Sequence, residues 1–295
     1  MEGKEMYYVD RDGIGMEKST GQDKMLSFLY GHTLTRMMLK PLLAPKVSRT
    51  VGGLMDSRIS KVLIPSFIRN NHIDLSLYEE REYQSYNDFF TRKIKAKERP
   101  TDRRKEVLIS PCDGKATVCP IKKDGIFHIK QTEYTVKSLL QDEKIAERYY
   151  GGTAYILRLT VDDYHRYCYV ADGIKSPQRK IQGVFHTVNP VANDHVPIYK
   201  MNTREYCLLK TEEFGTVLMM EVGALMVGKI NNHDQGRAMV LRGEEKGMFE
   251  FGGSTVVLMT EPGKVEVDQE LLQNSEKGYE TLVKMGEKIG RCLQL

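Results

Sequence analysis

From Val107 onward the chain is cut into short runs rich in Val, Ile, Thr and Tyr, each bounded by Gly, Pro or Asp. That punctuation commits the last two thirds of the sequence to β-structure. The runs fall at 116–120, 126–130, 154–160, 206–210, 217–223, 226–230 and 254–259. Two stretches, 136–149 and 271–292, carry spacing that predicts helices among the strands. No internal repeat or low-complexity stretch interrupts this body.

The first quarter has a different texture. Between Lys24 and Asn71, apolar residues recur at helical spacing: Met25, Leu26, Phe28 and Leu29, then Leu34, Met37 and Met38, then Leu42 and Leu43. A second piece carries Val51, Leu54, Met55, Ile59, Val62 and Leu63, and Pro41, Pro45 and Pro65 divide the whole into several short helices. The same segment holds eight basic residues (Lys24, Arg36, Lys40, Lys46, Arg49, Arg58, Lys61, Arg69) against one acid, Asp56. It is therefore +7 in a chain whose net charge is only +4. A packed subdomain with a solvated face would explain the helices, but such a face ordinarily mixes signs. Cations set among Leu, Met and Phe fit a helix lying in the interface of an anionic membrane. Nucleic acid fits less well, because stacking aromatics are not interleaved with the charge.

The expected architecture is α/β in the α+β sense, with N-terminal membrane-facing helices on a largely antiparallel β-rich body. The boundary is placed between 1–74 and 75–295, the stretch 75–100 being a charged connection. No run approaches the ~18–20 apolar residues of a transmembrane helix, and residues 1–12 lack an apolar signal core. The five cysteines (Cys112, Cys119, Cys168, Cys207, Cys292) form no CxxC pair, which argues for a reducing compartment and against a zinc site. The histidines show no metal-ligand spacing, so no metal is expected.

The junction Gly252-Gly253-Ser254-Thr255 admits two readings. One is a turn entering a strand. The other is chemical: glycine before serine presents an unhindered carbonyl, and a strained backbone there lets Oγ attack it and convert amide to ester.

Several motifs bear on this choice. Leu29-Tyr30-Gly31, Asn87-Asp88-Phe89-Phe90-Thr91-Arg92, Arg99-Pro100, Ser110-Pro111-Cys112-Asp113-Gly114 and Asp163-Tyr164-His165-Arg166 occur in that order. Val188-Asn189-Pro190, Asn202-Thr203-Arg204-Glu205, Val222-Gly223-Ala224 and Gly243-Glu244-Glu245 follow, ahead of Gly253-Ser254-Thr255. Together they resemble the signatures of phosphatidylserine decarboxylase proenzymes over most of the chain.

The resemblance implies self-cleavage between Gly253 and Ser254. Chains 1–253 and 254–295 would remain together as a heterodimer, with Ser254 converted to a covalent pyruvoyl cofactor. It implies a substrate, phosphatidylserine, decarboxylated to phosphatidylethanolamine through a Schiff base, on the cytoplasmic side of the cell membrane with the protein peripheral. Asp113 matches the aspartate of the family's Asp–His–Ser relay, although an Asp-Gly turn is its plain reading. His165 matches the histidine expected to reprotonate the substrate. The family pattern D-Y-H-R-x-H departs here: its second histidine is Cys168. His186, in Phe185-His186-Thr187, is either a half-buried strand residue or an imidazole that replaces the missing one; alternatively His165 serves both steps. Two rivals stay open, a pyruvoyl decarboxylase of a soluble amino acid and an unprocessed membrane-binding scaffold.

Overall fold

The computed structural model describes residues 7–17, 52–129, 132–183, 198–223, 229–250 and 254–293. The junction residues 251–253, His186 and most of the basic segment lie outside them, so the expected N-terminal helices are described only from residue 52 on.

Among the described residues, an eleven-stranded sheet organises the body. Its middle runs Arg204–Lys210, Thr216–Gly223, Ser254–Thr260, Thr153–Leu159, Gly114–Pro120 and Glu280–Val283 in spatial order, every neighbour antiparallel. Tyr7–Val9 joins the edge of Glu280–Val283 in parallel. The largely antiparallel, β-rich body expected from the sequence is what forms. The central strands are covered on both faces, which is why Ser254–Thr260 and Thr216–Gly223 are buried throughout, with the continuous apolar stretches Val217–Met220 and Val256–Met259 at their centres.

Side chains two apart share a face. Leu218, Met220, Val222, Val257 and Met259 pack on one side with Tyr134, Leu139 and Tyr149. Val217, Met219, Val256 and Leu258 pack on the other with Tyr167, Cys168 and Phe249. This second face lies under a small sheet of Ile230–Asn232, Glu245–Phe249 and Arg166–Cys168. By the same parity Ser254 points toward the small sheet and Thr255 away from it.

Two expectations need correction. The predicted helix over 271–292 is a short one, Gln269–Glu276, followed by the strands Glu280–Val283 and Lys288–Cys292. Gly278 and Gly286, at φ +84° and +88°, adopt the left-handed conformation that ends a helix and turns the chain. The helix predicted over 136–149 is two, Val136–Leu140 and Glu143–Glu147, because Asp142 caps a new start by accepting the Ile145 amide.

The stretch 75–100 does more than connect. Ser85 caps the helix Tyr86–Phe90, whose Tyr86, Asn87, Phe89 and Phe90 are buried. Asn87 Nδ2 donates to Asp56 at 2.8 Å, and Ser60 Oγ accepts the Tyr86 amide at 2.8 Å. These bonds tie the N-terminal helices Arg58–Leu63 and Ile64–Asn71 to the segment that reaches the site.

Candidate active site

Three antiparallel neighbours bring the motifs together. Ser254 and Gly114 begin their strands at the same sheet end where Leu159 ends the strand between them. Asp113 thus precedes one strand, and the turn leading to His165 leaves the next. On the other flank Gly223 lies opposite Ser254 and presents no side chain. Its carbonyl accepts Asn202 Nδ2 at 2.8 Å and its amide donates to Thr203 at 3.0 Å. Gly114 is required by proximity, since a Cβ there would stand 2.8 Å from the Arg158 carbonyl oxygen.

Ser254 is fully buried, and among the described residues its Oγ has no hydrogen-bond partner. A buried hydroxyl left unpaired costs about 1–3 kcal/mol, so its retention needs a reason other than stability.

Asp113 is buried at the Ser110–Gly114 turn. Its Oδ1 accepts Arg99 Nε at 2.7 Å and the Met285 amide at 2.9 Å, while Oδ2 accepts the Arg99 Nη2. The carboxylate is thereby held in one orientation and kept paired as it is taken out of water.

His165 is buried, and its Nδ1–H donates to the Asp163 carbonyl at 2.9 Å. Since a carbonyl only accepts, this places the hydrogen on Nδ1 and leaves Nε2 a bare acceptor; that atom is buried and has no partner among the described residues. The Phe90 ring lies 4.2 Å from the imidazole. Burial, opposed by Asp163 and reinforced by the Arg92 charge, brings the pKa of His165 down to about 4. At neutral pH the ring is uncharged and is a base rather than an acid. Asp163 is itself fixed by Lys115 Nζ at 2.8 Å and the Thr160 amide at 2.6 Å, so the Asp-Tyr-His-Arg element is anchored by its first residue.

Cys168 sits against the Asp113 turn: its amide donates to Pro111 at 2.8 Å, and its Sγ is 4.0 Å from the Ser110 carbonyl. Burial pushes its thiol up to about 12. The structure thus places the sulfur near Asp113 but gives it none of the acidity a thiolate base needs. His186 and Gly253 lie outside the described residues.

The sequence reading missed three groups. Arg99, which holds Asp113, stands in the quoted Arg99-Pro100 pair but carried no role there. Lys246 Nζ donates to Glu221 at 2.7 Å and to Asn232 at 2.6 Å, forming a buried polar cluster on the face of the sheet that Ser254 shares. Burial, the leading cause, raises the Glu221 pKa despite Lys246. Arg92 ends the Asn-Asp-Phe-Phe-Thr-Arg run and is almost fully buried. A cation two residues after the Phe89-Phe90 pair was the available signal for it.

Among the described residues no group of His, Cys, Asp or Glu could hold a metal ion. The residues do fit a pyruvoyl group made from Ser254: the precursor hydroxyl is buried and unengaged, and His165 offers an unpaired basic nitrogen.

The phosphatidylserine decarboxylase family matches residues 86–291. A phosphatidylserine decarboxylase proenzyme 2 of Clostridium acetobutylicum is 43% identical over 97% of this chain and 95% of its own length. A phosphatidylserine decarboxylase proenzyme of Clostridium tetani is 39% identical over 94% of each chain. One of Clostridium botulinum is 38% identical over 93% of this chain and 94% of its own.

Proposed function

The chain belongs to the phosphatidylserine decarboxylase family and is a decarboxylase, and from that premise we propose that it cuts itself between Gly253 and Ser254 and converts phosphatidylserine to phosphatidylethanolamine and CO2. The observation that carries this reading is the buried Ser254 hydroxyl, without a partner among the described residues at the start of a central strand.

In self-cleavage Oγ bonds to the Gly253 carbonyl carbon, and its proton passes to a base. The C–N bond breaks, giving an ester and a free amine on residue 254. Loss of the α-proton then breaks the Cβ–O bond and releases the Gly253 carboxylate. Addition of water and departure of ammonia leave the keto group. The pyruvoyl carbonyl supplies an electron sink for the substrate carbon that loses CO2. His165 Nε2, unprotonated in the resting chain, can take the proton of the incoming ammonium and return it to that carbon. The short chain would stay in place after the cut, because its first strand is paired along both edges, with Thr216–Gly223 and Thr153–Leu159. The test is a denaturing gel with intact mass, alongside CO2 release from phosphatidylserine vesicles. One band and no CO2 from purified wild type would overturn the reading and leave the scaffold alternative.

The lipid substrate requires a docking surface, and we place the enzyme peripherally on the cytoplasmic face of the cell membrane. No helix among the described residues is long and apolar enough to cross a membrane. Ile59 and Val62, 80% and 74% exposed, stand with Leu54 and Leu63 beside the exposed Arg58 and Lys61. Each such side chain entering the interface gains about 1.5–3 kcal/mol. Ile59→Asp with Val62→Asp is therefore expected to lower vesicle binding and lipid turnover more than tenfold while the split fraction stays unchanged. Binding to anionic vesicles should also weaken as salt rises, since exposed charges are screened over ~8 Å at physiological ionic strength. Equal sedimentation with neutral and anionic vesicles would remove the electrostatic part.

A further inference from the structure

Most deeply buried cations near the site are paired with a carboxylate: Lys115 with Asp163, Arg158 with Glu280, Lys246 with Glu221 and Arg99 with Asp113. Arg92 is different. It is 1% exposed, and among the described residues no carboxylate meets it. Its Nη2 donates to the Tyr78 hydroxyl at 3.2 Å, but among the described residues Nε and Nη1 have no partner. The guanidinium lies 4.4 Å from the Tyr78 ring and 5.0 Å from the Phe89 ring, so two aromatic faces hold it by cation–π attraction. An unpartnered donor on a buried guanidinium is what an oxyanion would satisfy by a charge-assisted hydrogen bond.

Its place in the fold says which oxyanion. On one side is the reacting end: Phe90 contacts the His165 ring, and Arg166 donates to the Thr91 carbonyl at 2.8 and 2.9 Å. On the other side the same helix is bonded to Asp56 and Ser60, next to the exposed Leu54, Ile59, Val62 and Leu63. In a phospholipid the phosphate likewise lies between the acyl chains and the amine.

We propose that Arg92 is the anchor for the phosphodiester of the lipid headgroup, holding it through an unpartnered guanidinium donor between the membrane-facing residues and His165. This rests on the reading of the chain as a lipid decarboxylase. The phosphodiester is favoured over the substrate carboxylate because a guanidinium fixed on the carboxylate would stabilise the charge that must leave as neutral CO2. An anion at Arg92 also offsets the positive charge that disfavours protonation of His165.

The experiment compares wild type with Arg92→Gln. Split chain is scored on a gel, and kcat and KM are measured on a short-chain, monomeric phosphatidylserine. Titration calorimetry follows two probes: glycerophosphoethanolamine, which has the phosphodiester and no carboxylate, and O-methyl-L-serine, which has the reverse. Arg92→Gln should split like wild type. It should raise KM and the Kd for glycerophosphoethanolamine about 10- to 100-fold, the range expected for lost charge-assisted bonds, with a smaller fall in kcat and an unchanged Kd for O-methyl-L-serine. A rise confined to O-methyl-L-serine would assign Arg92 to the carboxylate and overturn the proposal, as would unchanged values for both probes. If Arg92→Gln does not split, Arg92→Lys replaces it and should show the same pattern with a smaller rise, because it keeps the charge and loses the directed guanidinium donors. An unsplit Arg92→Lys chain would place the guanidinium in folding or processing and would also overturn the proposal. Wild type that binds glycerophosphoethanolamine yet releases no CO2 would sink the decarboxylase reading and leave the anion site standing.

Discussion

Ser254→Ala remains a single chain of 295 residues, releases no CO2 from phosphatidylserine, and is at least as stable as the unsplit wild-type fold. The first two outcomes follow from losing the only oxygen on residue 254 that can bond to the Gly253 carbonyl. The third separates chemistry from folding. Ser254 Oγ is buried without a partner among the described residues, so its removal relieves a desolvated hydroxyl and costs no hydrogen bond seen there. The methyl left behind faces Leu159 and Val256 on the apolar side of the sheet. Thermal unfolding of Ser254→Ala should therefore match or exceed that of wild type held unsplit at early times. Ser254→Cys keeps a nucleophile and should split, more slowly. Efficient cleavage of the Ala variant would exclude attack by Oγ, and a large fall in its melting temperature would show that the hydroxyl has a structural partner.

How far the sequence reveals this arrangement depends on the range of each interaction. The strands Thr216–Gly223 and Ser254–Thr260 are legible because each holds an uninterrupted apolar run, Val217–Met220 and Val256–Met259, in a stretch bounded by glycine or a polar turn. Residues 271–292 mislead because Leu271, Leu272, Ile289 and Cys292 fall near helical spacing, while the two left-handed glycines that break the run leave little mark on such a pattern. Ser254, Asp113 and His165 are legible through ordered motifs, but their partners are not. Arg99 and Met285 meet at Asp113 from 14 and 172 residues away. Glu221, Asn232 and Lys246 are joined only when the small sheet stacks on the large one. Even the protonation of His165 depends on burial and on the Asp163 carbonyl, neither of which is written locally. An acid role suggested by the motif becomes, in the folded chain, a neutral imidazole that must gain a proton before it can give one.

That neutral state sharpens the question of which group accepts the Ser254 proton. Cys168 occupies the position of the family's second histidine, yet its thiol is pushed up to about 12 by burial and is protonated at neutral pH. A thiolate base with that pKa would make cleavage accelerate steadily with pH through the alkaline range. An imidazole base, whose ordinary pKa is ~6.5, gives a rate that rises to about pH 7 and then levels. We expect the levelling profile, with His186 as the base in place of the missing histidine. Cys168→Ala should then split at close to the wild-type rate, and His186→Ala should lose cleavage by about 10²-fold or more, the scale of general-base assistance. Cys168→His combined with His186→Ala should restore part of it. His165→Ala should release no CO2 from whatever fraction splits, since Nε2 at the substrate carbon is gone. The measurement is the fraction of split chain against time at a series of pH values. If Cys168→Ala stops cleavage and His186→Ala leaves it intact, the thiol belongs to the relay in spite of its burial. If both variants split and His165→Ala does not, one imidazole serves both steps. In that case its pKa of about 4 predicts that cleavage is independent of pH from about 5 upward, because the ring is already a free base over that whole range.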